Sequence, residues 1–480
     1  MTASTSAVAR LPLPIGDQQI DDGDSITVVD AYTRAPAYEV ATASAARVDA
    51  AISAARAAAA SPLPAHRRAA ILRATAARVA DDAARFAEVV TTEAGKPARL
   101  AAVEVSRAVE TLEWSAEEAK RIAGEALPLD ASPAGEGRFA ITLRQPVGVV
   151  AALTPSNAPL NLVTHKVGPA LAAGNTVVLK PARATPVSAL LLAAALRDAG
   201  LPAGHLNVVV GDGVGDLLLR DARIDFYTLT GSIAVGEHLR RTIGLRDALL
   251  ELGGNSPVLV HHDADVEAAA RACADKGFGA AGQACTSVQR VYVHEDVADA
   301  FCDAFVAATE ALRVGDPHDP ATDVGPLLTE QDAERVAAWV DAAVAAGGRR
   351  LTGGERRGAL LQPVVLVDVP EDARVVREEV FGPVVVVARY RDLDAAIAAA
   401  NATPYGLHAA VFTGSLDVAF AVAQRLEVGG VVVNDASQWR TEFVPFGGVK
   451  RSGSGREGPR YAIEAMTRQK VVMFNLRTPR

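Results

Sequence analysis

From Gln145 onward the chain alternates short β-rich runs with helical stretches, and no other feature constrains its fold as tightly. The runs VGVVAAL, TVVLKP, HLNVVVG and DFYTLTG are separated by NLVTHKVGPALAAG, VSALLLAAALRDAG and VGDLLLRD. Strands buried on both faces read as continuous apolar runs, and parallel neighbours need a crossover long enough to hold a helix. The segment therefore predicts a parallel, doubly wound α/β sheet. Such sheets bind ligands at the carboxyl ends of their strands. That rule singles out Thr154 to Asn157, Lys180 to Arg183, and Gly231 with Ser232.

The pattern restarts after Glu251 with SPVLVHHDAD, a helix through Ala270, QRVYVHE, QPVVLVDV, FGPVVVVARY, AAVFTG and GGVVVND, which predicts a second α/β domain. A chain of 480 residues is long enough to bury more than one core. Ahead of both sheets, Thr42 to Glu125 is Ala-rich with helical apolar spacing and interleaved Arg and Glu, the pattern of packed amphipathic helices. Leu127 to Arg144 and the final MTRQKVVMFNL read as strands outside both sheets, free to pair with another subunit.

Charge and composition exclude several classes of partner. A net charge of −9 with mixed signs gives no basic stripe for nucleic acid, and no 18-residue apolar run is present to cross a bilayer. Met1 to Gln19 lacks the charged and apolar regions of an export signal, so a cytoplasmic location is expected. Cys273, Cys285 and Cys302 are few and irregularly spaced, which predicts free thiols and no CxxC metal site. In His261-His262-Asp263-Ala264-Asp265 the adjacent imidazoles at a strand end should point to opposite faces, with no second cluster to complete a metal site. Arg349-Arg350 and Arg356-Arg357 follow glycines and read as solvated turns.

Three residues stand where chemistry is feasible. Cys285 lies in the small-residue loop Gly282 to Ser287 after a helical stretch, where backbone amides can face whatever the sulfur attacks. Glu251 ends the apolar run ALLEL ahead of a flexible glycine pair, and is either a base for a thiol or water or an ordinary strand-end carboxylate. Asn157 in TPSNAP is either an amide donor to an oxyanion or a turn residue. Gly231-Ser232, between a strand and a helix, suits a pyrophosphate at a helix N-terminus.

Taken together, LTPSNAPLNLVTHKVGPALAAGNTVVLKP, LTGSIAVGEHL, LELGGNSP, GQACTS, EEVFGP, NATPYGLHAAVFTG and PFGGVKRSGSGREG occur in the order and spacing of one family. The chain resembles the aldehyde dehydrogenase superfamily over nearly its whole length. The resemblance implies a Rossmann-like cofactor domain (1–122 and 145–253), a catalytic domain (254–460) and a small β oligomerisation extension (123–144 and 461–480), assembled as a homodimer or homotetramer. It implies that Cys285 is the nucleophile, Glu251 the general base and Asn157 the side-chain half of the oxyanion hole. Thr154, Pro155, Lys180, Arg183, Gly231, Ser232, Glu379 and Phe381 fall where the family holds NAD or NADP. Relatives that pass the acyl group to coenzyme A lack the glutamate at position 251, so its presence favours hydrolysis of a Cys285 thioester over acyl transfer. The joint presence of Cys285, Glu251 and Asn157 disfavours a catalytically silent scaffold of the same fold.

A closer resemblance joins EVSRAVETLEWSAEEAKRIAGE and WRTEFVPFGGVKRSGSGREGPRYAIEAMT to the subgroup that oxidises lactaldehyde, glyceraldehyde 3-phosphate and phosphonoaldehydes. Arg107 and Arg440 match positions where that subgroup turns arginines toward an anionic substrate end. The alternative is that Arg107 pairs with Glu104 or Glu110 on its own helix and that Arg440 caps a loop. Ser156 stands where many relatives have an aromatic residue, consistent with a hydrophilic substrate pocket, whereas Ala284 stands where phosphate-binding relatives often have a further arginine. Arg183 replaces the glutamate common in NAD-preferring relatives, so NADP should be tolerated or modestly preferred.

Overall fold

A computed structural model describes residues 10–476 of the chain. The alternating segment forms a six-stranded sheet in the order Leu206–Val208, Thr176–Lys180, Val149–Leu153, Phe226–Thr230, Asp247–Glu251 and Gly453–Ser454, parallel except for the last strand. The first three strands in sequence run outward in one direction, and the next two are added on the other side of Val149–Leu153. The switch point therefore lies between Val149–Leu153 and Phe226–Thr230. Register sets Leu153 beside both Lys180 and Leu229, and Thr230 beside Glu251, so the strand ends lie along one edge.

Helices Ala45–Ala59, Ala65–Asp81, Ala98–Glu118 and Val187–Asp198 pack against the core of this sheet, and Asn161–Ala173 is buried on nearly every side within it. The first shows how the Ala-rich sequence specifies them: Ser44 caps it by accepting from Arg47 N, and Val48, Ala51, Ile52 and Ala55 form the buried stripe at helical spacing.

The second sheet has seven strands in the order Arg349–Thr352, Val364–Val367, Val384–Tyr390, Val288–His294, Ser256–Val260, His408–Phe412 and Gly430–Val433. All are parallel except the first, and apolar clusters cover both faces. Two expectations are corrected here. Arg349 and Arg350 lie in the antiparallel edge strand and Arg356–Arg357 pairs with Leu360–Leu361, so neither pair is a plain turn, although all four side chains stay exposed as suits an edge. The rings of His261 and His262 lie 4.2 Å apart, because the strand has already ended at Val260 and alternation no longer applies. His294 from the neighbouring strand adds a third ring 5.2 Å from that of His262. Among the described residues no group of three or more His, Cys, Asp or Glu is arranged to hold a metal ion.

Leu127 to Arg144 and the final strand lie outside both sheets, and they pair within the chain: Thr467–Asn475 runs antiparallel to Arg138–Pro146, which also pairs with Ala126–Leu127. Phe139, Leu143, Val471, Met473 and Phe474 leave this small sheet with exposed apolar side chains. Helix Pro459–Ala465 crosses position 460, where the sequence division was drawn, and packs Ala462 and Ile463 into the core of the first sheet. The short strands between Arg10 and Ala41 were not expected. Positions 1–9 and 477–480 of the outer spans lie outside the described residues. Among the described residues no helix is long and apolar enough to cross a membrane.

Candidate active site

Cys285 sits between the two sheets, in the loop that follows helix Val266–Phe278 and precedes strand Val288–His294. Ala280, Ala281 and Gly282 all have positive φ, which turns the chain sharply before the cysteine. Two consecutive alanines in that region are strained, and such strain persists only where surrounding packing enforces it. The glycine pair after Glu251 serves space and not flexibility. Neither glycine has a positive φ, and a Cβ on Gly253 would lie 2.2 Å from Glu379 Oε2, one on Gly254 2.1 Å from the Cys285 carbonyl oxygen.

The structure brings Cys285, Glu251 and Asn157 together on one cavity. Glu251 ends the strand Asp247–Glu251, is fully buried, and has no hydrogen-bond partner at either carboxylate oxygen. Burial, with Glu457 nearby, pushes its pKa well above the ordinary carboxylate value. Burial likewise pushes the Cys285 thiol up to about 12, against the pull of Arg440. Asn157 Nδ2 donates to the carbonyl of Gln283 at 2.9 Å, which ties the end of the first strand to the cysteine loop. An amide NH2 carries two hydrogens, so one remains for an oxyanion.

On one side of Cys285 a cavity of about 410 Å³ is lined by Pro155, Gly231, Ser232, Gly253, Glu379 and Phe381. It lies at the switch point of the first sheet and at the N-terminus of helix Ile233–Ile243, whose cap is Ser232. Thr230 Oγ1, at the strand end that lines it, is buried without a partner, as is Thr154 Oγ1. Glu379 accepts from Gly254 N at 3.1 Å, and burial raises its pKa to about 7. Lys180 ends its strand beside Leu153, and burial lowers its pKa against the pull of Asp212. Arg183 lies further out, 54% exposed and 3.4 Å from Asp212. Thr154, Lys180 and Arg183 do not line the cavity itself. Ser156 does, while Ala158 lines the opposite side. The missing aromatic at 156 thus bears on this cavity and not on the one that Ala158 lines.

On the other side of Cys285 a cavity of about 290 Å³ is lined by Arg107, Asn157, Glu251, Trp439, Arg440 and Glu457, among others. Arg107 pairs with neither Glu104 nor Glu110: its Nε donates to Glu442 Oε1. Glu104 is committed elsewhere, accepting from Lys96 and from Leu160 N and Asn161 N at the start of helix Asn161–Ala173. Nor does Arg440 cap a loop. Its guanidinium stacks on Phe446, 3.8 Å from the ring centroid, and stands 3.6 Å from Glu457 and 4.0 Å from Glu442, beyond hydrogen-bond reach.

Four residues of this charged layer escaped the sequence reading. Lys166 Nζ donates to Glu457 Oε1 at 2.5 Å, and His165 Nε2 bonds Glu442 Oε2. Burial would raise both carboxylates, yet His165, Arg107 and Arg440 hold Glu442 far below its ordinary pKa, and Lys166, His165 and Arg440 hold Glu457 low. His165 and Lys166 stand as the only titratable residues of the helix Asn161–Ala173, whose remainder is largely apolar, which is the one sequence signal that marks them as buried polar residues in need of partners.

Residues 19–472 match the aldehyde dehydrogenase family. The chain is 46% identical over 475 residues to a 3-sulfolactaldehyde dehydrogenase of Priestia aryabhattai, covering 98% of this chain and 100% of that one. Among solved structures it resembles aldehyde dehydrogenase 21 of Physcomitrella patens in complex with its reaction product succinate, with a TM-score of 0.95, 38% identity, and 98% and 99% of the two chains covered. It also resembles the NADP-dependent glyceraldehyde-3-phosphate dehydrogenase of Bacillus halodurans complexed with NADP, with a TM-score of 0.95, 35% identity, and 98% and 100% covered.

Proposed function

The chain belongs to the aldehyde dehydrogenase family, and on that premise we propose that it oxidises a short, anionic aldehyde to the carboxylic acid with NAD+ or NADP+, through a thioester on Cys285 that water hydrolyses. One observation carries the substrate reading: Arg440 presents a buried guanidinium with no hydrogen bond to any carboxylate beside the nucleophile. Ion-paired with Glu457 and Glu442 but hydrogen-bonded to neither, it keeps its N–H groups available for a charge-assisted bond to an anion. The relatives named for sulfolactaldehyde, glyceraldehyde 3-phosphate and succinate all handle charged substrates or products, which supports the same class.

Cys285 Sγ attacks the aldehyde carbonyl as the thiolate, its proton released to solvent water. That leaves Glu251, unbonded and with raised proton affinity, for the hydrolytic step, where the proton it takes from water returns to the departing sulfur. The second N–H of Asn157 meets the oxyanion that develops, an interaction typically worth about 3 to 4 kcal/mol in the transition state. The residues of the larger cavity fit the cofactor: the open helix N-terminus at Ser232 suits a pyrophosphate, and the orphaned Thr230 hydroxyl and Glu379 offer polar contacts. When bound there, NAD(P)+ supplies the hydride acceptor. Glu251 then removes a proton from the water that attacks the thioester, so the acid leaves and the thiol returns. The exposed apolar face of the small sheet supports assembly as a homodimer or homotetramer.

The test compares succinic semialdehyde with propanal. Arg440→Ala and Arg107→Ala should each lower kcat/KM for the charged aldehyde on the order of tenfold or more, and barely alter that for propanal. Long aliphatic aldehydes proving the best substrates, or both variants treating the two aldehydes alike, would overturn the anionic reading and leave the thioester chemistry standing.

A further inference from the structure

The carboxylate of Glu442 is the hub of the charged layer. It is 1% exposed, and each oxygen is committed. Oε1 accepts from Arg107 Nε, while Oε2 meets His165 Nε2, Asn161 Nδ2 at 3.3 Å and Thr111 Oγ1 at 3.5 Å. These partners come from two helices, Ala98–Glu118 and Asn161–Ala173, whereas Glu442 itself stands two residues after Arg440 on the loop that walls the cavity. One side chain therefore fixes the loop that carries Arg440 to both helices and bonds Arg107 directly, with Arg440 itself 4.0 Å away and nearer to Glu457.

The bonding leaves the arginines unequal but both available. Arg107 donates through Nε to Glu442 and keeps its terminal nitrogens free of any protein hydrogen bond, with its side chain 36% exposed. Arg440, held between Glu442 and Glu457, is stacked on Phe446 and hydrogen-bonds to neither carboxylate. In this layer three permanent cations, Arg107, Arg440 and Lys166, face two paired carboxylates, Glu442 and Glu457.

We propose that Glu442 is a specificity-determining positioning residue: anchored on His165 and Asn161, it holds Arg107 and Arg440 together as a two-pronged receptor for the anionic end of the aldehyde. The inference rests on the anionic-substrate reading and deepens it. Glu442 touches no reacting atom. Its work is to fix the angle and reach of two flexible side chains that would otherwise lose rotamer freedom on binding. Two opposed effects follow from removing its charge. Freed from its counter-ion, Arg107 would attract an anion more strongly, but unanchored it would no longer point with Arg440 at one group. Because the Arg107 contact is through Nε and leaves the terminal nitrogens open, the anchoring effect is the larger.

The test uses the full-length enzyme saturated with cofactor and reads the ratio of kcat/KM for succinic semialdehyde to that for propanal. This ratio is independent of the fraction of each variant that is folded. In Glu442→Gln it should fall about tenfold, carried by KM for the charged aldehyde, and Glu442→Asp, which keeps the charge but retracts it, should fall less. Glu442→Asp carries the test alone where the glutamine variant does not fold. A wild-type enzyme without preference for the charged aldehyde overturns the parent reading. A wild-type preference that Arg440→Ala removes, but that survives or grows in both Glu442 variants, overturns the role of Glu442 alone.

Discussion

The two cavities that meet at Cys285 are built on different plans. The larger is walled by strand ends and glycines, Pro155, Gly231, Ser232 and Gly253, with Glu379 as its main buried charge. The smaller is walled by long charged side chains, Arg107, Arg440, Glu251 and Glu457, whose partners come from distant parts of the chain. Backbone placed by a sheet gives the first its shape, while counter-ions give the second its shape. The first plan suits a ligand shared across a family, and the second lets one chain choose its own substrate by exchanging a few side chains. Cys285, Asn157 and Thr230 line both, so the proposed nucleophile stands where the general and the particular meet.

The shared wall gives the largest expected effect. Cys285→Ala should abolish turnover with every aldehyde, whereas Cys273→Ala and Cys302→Ala should leave most of it. Cys273 lies buried in helix Val266–Phe278 and Cys302 half-buried in helix Glu295–Glu310, both away from the two cavities. Steady-state rates settle this. Substantial turnover in the Cys285 variant would break the claim that the two cavities serve one reaction.

Next in size, Glu251→Gln should slow turnover by about 100-fold or more, the usual scale for loss of a general base, while leaving attack and oxidation able to occur once. Mass spectrometry after mixing with aldehyde and cofactor should find an acyl adduct on Cys285. Normal steady-state turnover without an adduct would remove Glu251 from the hydrolytic step and weaken the preference for hydrolysis over acyl transfer.

The same contrast explains how much was legible in the sequence. Strand ends announce themselves, because a buried apolar run that stops at Thr-Pro, Lys-Pro or Gly-Ser locates the edge of a parallel sheet. Thus Asn157, Glu251 and Ser232 were each readable from a strand end, and Cys285 from its small-residue loop after a helix. Pairings in the charged cavity were not. Arg107 and Glu442 are 335 positions apart, and local helix spacing pointed instead to Glu104, whose carboxylate is spent on the free N–H groups at the start of another helix. Buried ion pairs are chosen by tertiary packing, on which sequence separation is silent. The N-terminal strands were missed for a simpler reason: they are two to six residues long and carry too few periods to stand out.

A thiol held up to about 12 by burial makes a prediction of intermediate size. The thiolate fraction of Cys285 in the cofactor-free enzyme should climb about tenfold per pH unit well below that value. Its alkylation by iodoacetamide, followed by peptide mass, should therefore rise from pH 7 to pH 10 without a plateau. A plateau below pH 9 would mean that the charged cavity, through Arg440, controls the sulfur more strongly than burial does.

The smallest effect is expected at the outer end of the larger cavity, where the shared plan itself varies. Arg183 follows the strand end at Lys180 and is the guanidinium closest in sequence to the edge where the cofactor ribose is expected, yet it does not line the cavity. Its side chain is half exposed and its partner Asp212 is 86% exposed, so the pair lies in water, where such contacts are worth roughly 0 to 1 kcal/mol. A 2'-phosphate offers Arg183 a doubly charged, bidentate partner in place of one loosely held carboxylate. Arg183→Ala should therefore raise KM for NADP several-fold and leave KM for NAD nearly unchanged, and Asp212→Asn, which frees the guanidinium, should shift preference toward NADP by a smaller factor. If both variants leave the ratio of the two cofactors where the wild type has it, Arg183 is only a solvated side chain. Cofactor choice would then rest with the backbone and with Lys180, and the larger cavity would be as free of side-chain selection as its glycine-lined wall implies.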